Sequence, residues 1–298
     1  MTGVEAAPAA AGPAATVRRV AVVGGGTMGN GIAQVFATAE IEVALIDAKP
    51  ELVDRALATI AKNLDRVAKK QAWDAGRAPA ILGRIRGGTA LEAAREADLV
   101  IEAVSEDAAL KRRVFEALDG LAPAHAVLAS NTSSISITEI AAATRRPDRV
   151  VGMHFMNPVP VMALVEIIRG LATSDGTCRL VEDLARRLGK TPVEVNDYPG
   201  FVSNRILMPM INEAIFALME GVGSADSIDK VMKLGMNHPM GPLTLADLIG
   251  LDTCLSIMQV LHDGLGDAKY RPCPLLRRYV AAGWLGRKTG RGFYEYPA

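Results

Sequence analysis

Between Ser130 and Glu166 the chain sets groups that could handle a proton among strands that should be largely apolar. His154 lies in Val150-Val151-Gly152-Met153-His154-Phe155, and Glu166 in Met162-Ala163-Leu164-Val165-Glu166-Ile167-Ile168. A buried carboxylate is costly unless something pairs with it, and the nearest candidate in sequence is that histidine. Pro158-Val159-Pro160 interrupts the two stretches as a turn would. His154 and Glu166 are equidistant from Pro160, so an antiparallel hairpin centred there sets them opposite each other. An imidazole held by a carboxylate is a proton acceptor of fixed tautomer, which is what a general base requires. A histidine alone on an apolar strand is more often a satisfied core residue. The neighbouring run Ser130-Asn131-Thr132-Ser133-Ser134 tips the reading toward chemistry.

A second constellation points to a dinucleotide. Gly24-Gly25-Gly26-Thr27-Met28-Gly29 follows an apolar strand directly and opens a helix. Its spaced glycines allow a tight turn, close approach of backbone to a pyrophosphate, and close packing of helix on strand. The helix N-terminus then offers N–H groups and a partial positive charge to the phosphates. GxGxxG alone is a weak signal, but Asp47 stands at the end of the next strand, where a carboxylate accepts the ribose hydroxyls of an adenosine. The bland alternative is an Asp that merely starts the turn before Pro50.

The elements that must position these groups follow from the pattern. Val20 to Val23, Val43 to Ile46, Leu99-Val100-Ile101 and Ala126-Val127-Leu128 read as strands. Met28 to Ala39 and Leu110 to Leu118 read as helices, and a long charged helix or pair of helices runs from Glu51 to about Ile85. Strands alternating with helices argue for a doubly wound parallel sheet, an α/β Rossmann-like fold. Ser133 and Ser134 then fall at the carboxyl edge of that sheet, where such folds bind ligands, although a local hydroxyl is also expected to cap a helix over 135–143. Cys178 to Leu188 is a helix closed by Gly189, and Pro192 to Val195 a last strand. Pro199-Gly200 marks a boundary, beyond which apolar residues such as Leu207, Met210, Ile211, Ala214, Ile215 and Leu218 follow helical spacing, in a helix read as capped by Ser203. The division expected is a tail over 1–16, a dinucleotide-binding domain over 17–200 and a smaller all-α domain over 201–298.

Composition narrows the class. Lys plus Arg and Asp plus Glu both number 33, so the formal charge of zero gives no sign of nucleic acid or an anionic membrane as partner. Cys178, Cys254 and Cys273 are far apart and form no CxxC pair, which argues against a disulfide framework or a metal site and for a reducing, cytoplasmic setting. No apolar run approaches the ~18 residues of a membrane span. Residues 1–16 are mostly Ala and Pro without a basic start, and read as a disordered tail rather than a signal peptide. Arg55, Lys62, Arg66 and Lys69 recur at helical spacing, a stripe that could hold a polyphosphate, though such stripes are more often solvated faces. The helical faces after residue 201 are richer in apolar residues than ~100 residues need, which suggests a partner subunit.

Taken together these residues resemble the short-chain L-3-hydroxyacyl-CoA dehydrogenases, the bacterial 3-hydroxybutyryl-CoA dehydrogenases among them. The resemblance runs from about Arg18 to Tyr296. It rests on Gly24–Gly29, Asn131-Thr132-Ser133-Ser134, His154-Phe155-Met156-Asn157-Pro158-Val159-Pro160, and Pro199-Gly200-Phe201 with Asn204-Arg205. It extends to Pro239-Met240-Gly241-Pro242, Gly250-Leu251-Asp252 and Lys288-Thr289-Gly290-Arg291-Gly292-Phe293-Tyr294. The resemblance implies NAD as cofactor, an acyl-CoA substrate and a homodimer. It implies His154 as the catalytic base with Glu166 as its partner, and Ser133 and Asn204 as groups that hydrogen-bond the reacting oxygen or orient the substrate. Glu106 and Lys111 match positions that contact the nicotinamide half of the cofactor, and Lys288 a cofactor-contacting lysine. Lys70 matches a coenzyme A contact, and Asn63 stands where some relatives carry a serine that touches coenzyme A. Neighbouring readings are a crystallin-like relative acting on a free hydroxy acid or sugar acid, and a β-hydroxyacid dehydrogenase, whose catalytic lysine would stand where Asn204 does. A catalytically dead NAD-binding protein would be expected to have lost His154 or Glu166.

Overall fold

The computed structural model describes residues 17–297, so the tail expected over 1–16 lies outside the described residues. Within them the chain divides into two compact units. One takes in the residues up to Thr132 together with Ile137–Asp197, the other Ser133–Ser136 and the residues from Tyr198 onward.

The first unit is built on an eight-stranded sheet. Its strands are β1 (Arg19–Val23), β2 (Glu42–Ile46), β3 (Ile85–Gly88), β4 (Leu99–Glu102), β5 (Val127–Ser130), β6 (Val150–Phe155), β7 (Leu164–Arg169) and β8 (Thr191–Asn196). They lie in the order β3-β2-β1-β4-β5-β6-β7-β8, and β1 to β6 are parallel. β7 turns back antiparallel to β6, and β8 runs parallel to β7. The largely apolar runs of β1, β4 and β5 are buried nearly throughout, as strands covered on both faces must be.

Crossover helices cover the sheet: α1 (Thr27–Thr38), α2 (Pro50–Gln71), α3 (Arg77–Leu82), α4 (Ala108–Leu121), α5 (Ile137–Ala141) and α6 (Asp175–Arg187). α2 turns Val53, Ala56, Ile60 and Leu64 inward at helical spacing and leaves its charges outside. α4 starts where Asp107 Oδ1 accepts a 2.6 Å bond from the Leu110 N–H. Of the long helix or pair of helices expected from Glu51 to about Ile85, the structure has the pair, α2 and α3, and Ile85–Gly88 is a strand paired to β2 rather than a helix end. Two glycines and an arginine in Ile-Arg-Gly-Gly hide its strand character.

The second unit is helical: α7 (Ser203–Met219), α8 (Ala225–Gly235), α9 (Pro242–Ile249), α10 (Leu251–Leu265) and α11 (Pro274–Ala281). They enclose a separate core that includes Met208, Ile211, Ile215, Leu243, Leu251 and Leu261. Ser203 is the first residue of α7 and not its cap, because Val202 occupies the capping position without a side-chain bond. Among the described residues, no single helix is long and apolar enough to cross a membrane.

Candidate active site

The glycine turn between β1 and α1 is backbone-tight. Gly24 has φ +103°, and a Cβ there would stand 2.5 Å from the Ala103 carbonyl oxygen. A Cβ on Gly29 would collide with the Gly24 carbonyl, so the helix packs on the strand only because both positions lack one. Gly26 caps α1 without a side-chain bond and no acid lies in its first turn, which leaves that turn's N–H groups suited to an anion. Asp47 turns toward this loop. Its Oδ2 accepts from the Gly25 N–H at 2.7 Å and its Oδ1 from the Ala48 N–H at 2.7 Å. The carboxylate therefore braces the turn as well as standing at the end of β2.

Deeper under the same sheet edge lies a buried ionic cluster. Glu102, at 0% exposure, accepts from Lys111 Nζ at 2.6 Å and the Val104 N–H at 2.7 Å with one oxygen, and from Ser130 Oγ at 2.7 Å with the other. Lys111 is itself only 1% exposed and also lies 3.3 Å from Glu106 Oε2. Thr132 Oγ1 donates to Glu106 Oε1 at 2.6 Å. Glu106 and Lys111 are thus brought together, but the ammonium is turned inward. Glu102, assigned no role from sequence, is the group that holds it, and Ser130 in turn fixes the other oxygen of Glu102.

The β6–β7 hairpin forms with the expected register, pairing His154 with Glu166. His154 Nδ1 lies 2.8 Å from Glu166 Oε2, and the two residues are 8% and 2% exposed. Asn131 Oδ1 accepts from the Phe155 N–H at 2.9 Å, which ties the end of β5 to the strand that carries the histidine. In the second unit Asn204, buried in the first turn of α7, donates from Nδ2 to the Ser133 carbonyl at 3.0 Å. Lys288 binds both oxygens of Asp252 at 2.6 and 2.7 Å, so its ammonium is neutralised within that unit.

A cavity of about 1060 Å³ lies within the first unit. It extends from Gly25, Gly26 and Thr27 along α1 and α2 to the 157–163 turn and the 187–190 loop. Asn63 and Lys70 both line it. Among the described residues, the cations on its wall are Arg55, Arg66, Lys70, Arg77, Arg187 and Lys190, and no acidic residue lines it. Lys62 and Lys69, grouped with Arg55 and Arg66 in sequence, are not on the wall. Arg77 opens α3, the next helix, whereas Arg187 and Lys190 come from the far end of α6 and the loop after it, and no helical spacing could have linked those two to the stripe.

A glycine turn, an uncapped helix N-terminus and a carboxylate after β2 are what a dinucleotide requires, so the residues present fit NAD. The comparisons agree. Residues 19–198 match the family model of the 3-hydroxyacyl-CoA dehydrogenase NAD-binding domain, and residues 200–296 that of the 3-hydroxyacyl-CoA dehydrogenase C-terminal domain. The probable 3-hydroxybutyryl-CoA dehydrogenase of Bacillus subtilis is 60% identical over 280 residues, covering 94% of this chain and 98% of the relative. The human mitochondrial hydroxyacyl-coenzyme A dehydrogenase is 42% identical, covering 94% and 91%. The crystal structure of (S)-3-hydroxybutyryl-CoA dehydrogenase from Ralstonia eutropha superposes with a TM-score of 0.92 at 53% identity, covering 95% of this chain and all of the other. The chain belongs to the 3-hydroxyacyl-CoA dehydrogenase family.

Proposed function

We propose that this protein is an NAD-dependent oxidoreductase that interconverts (S)-3-hydroxyacyl-CoA, 3-hydroxybutyryl-CoA foremost, and the 3-ketoacyl-CoA. The observation that carries the reading is the buried 2.8 Å contact between His154 Nδ1 and Glu166 Oε2. With Nδ1 turned to the carboxylate, Nε2 is the nitrogen that takes the proton of the 3-hydroxyl. Glu166 is almost wholly out of water, so its charge acts on the forming imidazolium with little screening. It orients the ring and stabilises the cation without taking the proton itself. Bound NAD supplies the acceptor for the hydride leaving C3. Ser133 and Asn204 are assigned the hydrogen bonds that follow the substrate oxygen as its charge changes, on the family pattern.

Gly24 to Gly29 and Asp47 hold the adenosine and pyrophosphate side of the cofactor in this reading. Glu106 is the member of the buried cluster closest to solvent, so it meets the cofactor, while Lys111 acts mainly by fixing Glu106. Lys288 is the remaining cofactor contact implied by the family. The acid-free cavity suits a polyanion, and Arg66, Lys70 and Asn63 are proposed to receive the phosphorylated end of coenzyme A. The domain roles belong to the same reading: residues 17–200 bind NAD, and 201–298 serve as the substrate and dimerisation domain of a homodimer. Placement in the cytoplasm belongs to the same proposal, with neither nucleic acid nor membrane as partner.

His154→Gln is expected to lower kcat by about 10²–10⁴-fold with NADH affinity nearly unchanged, and Glu166→Gln to cost a comparable factor. The check is steady-state reduction of 3-ketoacyl-CoA substrates from C4 to C16, with NADH binding followed by fluorescence. Near-full activity in either variant would make the pair structural. Preference for a free hydroxy acid would move the chain to the crystallin-like reading.

A further inference from the structure

The cavity described above contains a feature that its phosphate-binding role leaves unexplained. Gln34, on α1, lines it and is only 4% exposed. Among the described residues, Gln34 Oε1 is the buried side-chain polar atom that no protein group satisfies. A buried acceptor without a partner is costly, and native folds keep few of them without a reason. Its surroundings differ from those of Arg66 and Lys70. Gly31, three residues earlier and so on the same helix face, packs against Val159, where a Cβ would stand 2.9 Å from the valine Cβ. Val35, Val159, Pro160 and Val161 join Gln34 on the wall.

An oxygen acceptor needs a donor, which excludes phosphate and thioester carbonyl groups as what it meets. Gln34 also lies seven residues beyond the start of α1, roughly 10 Å along the axis, out of reach of phosphates held at the helix N-terminus. We infer that Gln34 is a binding residue for the pantetheine arm of the acyl-CoA, accepting a hydrogen bond from one of its amide N–H groups. The inference rests on coenzyme A occupying this cavity, as proposed above. The pantetheine arm is uncharged and bears amides, which matches an open acceptor set among Val35, Val159, Pro160 and Val161, where the neighbouring Lys190 ammonium is already taken up by the Val159 and Met162 carbonyls. The carboxamide also carries N–H donors, so it can meet both edges of a ligand amide.

The test compares Gln34→Met, and Gln34→Leu as a second shape, with wild type on acetoacetyl-CoA and on acetoacetyl-pantetheine, which lacks the nucleotide. Losing one neutral hydrogen bond should raise KM about 3–10-fold on both substrates, with a smaller change in kcat. The ligand-free variants should melt at or above the wild-type temperature, because the orphan acceptor is gone. An unchanged KM in a folded variant overturns the inference. So does a penalty seen with acetoacetyl-CoA but not with the pantetheine thioester, since the group read would then be on the nucleotide. Arg66→Ala with Lys70→Ala separates this from the underlying reading. If that pair raises KM for acetoacetyl-CoA while Gln34→Met does not, the cavity holds coenzyme A and only the role of Gln34 fails. If neither changes KM, both fail.

Discussion

The carboxylates of Glu102, Glu166 and Asp247 are almost wholly out of water, and each is held by a different kind of donor. Glu166 faces an imidazole, Glu102 an ammonium, and Asp247 only neutral donors, the N–H groups of Phe293 and Tyr294 and the Tyr296 hydroxyl. Burial accordingly pushes the Asp247 carboxyl up, and these hydrogen bonds only partly offset it. Glu102 presents the opposite hazard, since removing its charge strands Lys111 at 1% exposure. Breaking a buried pair from one side typically costs 3–5 kcal/mol. Glu106, 3.3 Å from the ammonium, should hold Glu102→Gln to the lower end, about 3 kcal/mol. The urea midpoint should fall accordingly, and Lys111→Met in the same chain should recover much of the loss. A single variant as stable as wild type would mean the cluster contributes nothing net. The same sign that marks His154 and Glu166 in the sequence, a polar group inside an apolar strand, also marks Glu102 after Leu99-Val100-Ile101. It is missed when the strand is ended one residue early, at Ile101. Gln34 carries no such sign, because a glutamine on an amphipathic helix reads as surface until the walls around it are known.

At the scale of elements, what was legible followed from repetition. β1, β2, β4 and β5 are short apolar runs, and the hairpin is two such runs around a proline turn, so local sequence suffices for them. β3 is not such a run, and its strand character comes from pairing with β2. The start of α5 shows the same limit. Its Ile137 and Thr138 N–H groups are bound at 3.1 and 2.7 Å by Asp197, a residue 60 positions away that no local capping rule could find. The segment after α11 is also fastened from a distance: Tyr294 donates to Asp229 at 2.8 Å and Tyr296 to Asp247 at 3.0 Å. Burial, then the bond to Asp247 and its charge, raises the Tyr296 phenol from 10.0 to about 12, and burial with Asp229 raises Tyr294 as well. The folded chain therefore keeps protons that unfolded tyrosine releases near pH ~10. Stability from these groups is fully present below that pH and is lost as pH climbs through 10 toward 12. Urea midpoints measured from pH 8.5 to 11 should fall more steeply for wild type than for Tyr294→Phe with Tyr296→Phe. The double variant should also start lower, having lost both donors. Parallel slopes would show that other groups govern alkaline unfolding.

For the whole molecule, zero net charge conceals an uneven distribution. Among the described residues, the large cavity gathers six cations on its wall with no acid, while the helical unit displays apolar side chains that its own core does not use. On α8, Val231 and Leu234 are 60% and 83% exposed and three residues apart, so they share a face, and Met236 just beyond is 60% exposed. Single exposed apolar residues are unremarkable, but adjacent ones on one helix face mark an interaction surface. A second copy of the chain is the proposed occupant, in keeping with the homodimer that the family resemblance implies. In a two-fold dimer each substitution acts twice. Fully burying a leucine is worth about 1.5–3 kcal/mol, so replacing Leu234 in both copies removes about 3–6 kcal/mol of association. At 1.4 kcal/mol per tenfold, that weakens the dimer by about 10²–10⁴-fold before the cost of burying a charge is added. Light scattering of the unmodified protein at micromolar concentration should give twice the 31.5 kDa chain mass, and Leu234→Glu should shift it toward the monomer. A monomeric wild type would overturn the assembly outright. A dimer unmoved by Leu234→Glu would place the interface on another face, with Ile206 and Val222, 67% and 76% exposed, as the next to substitute.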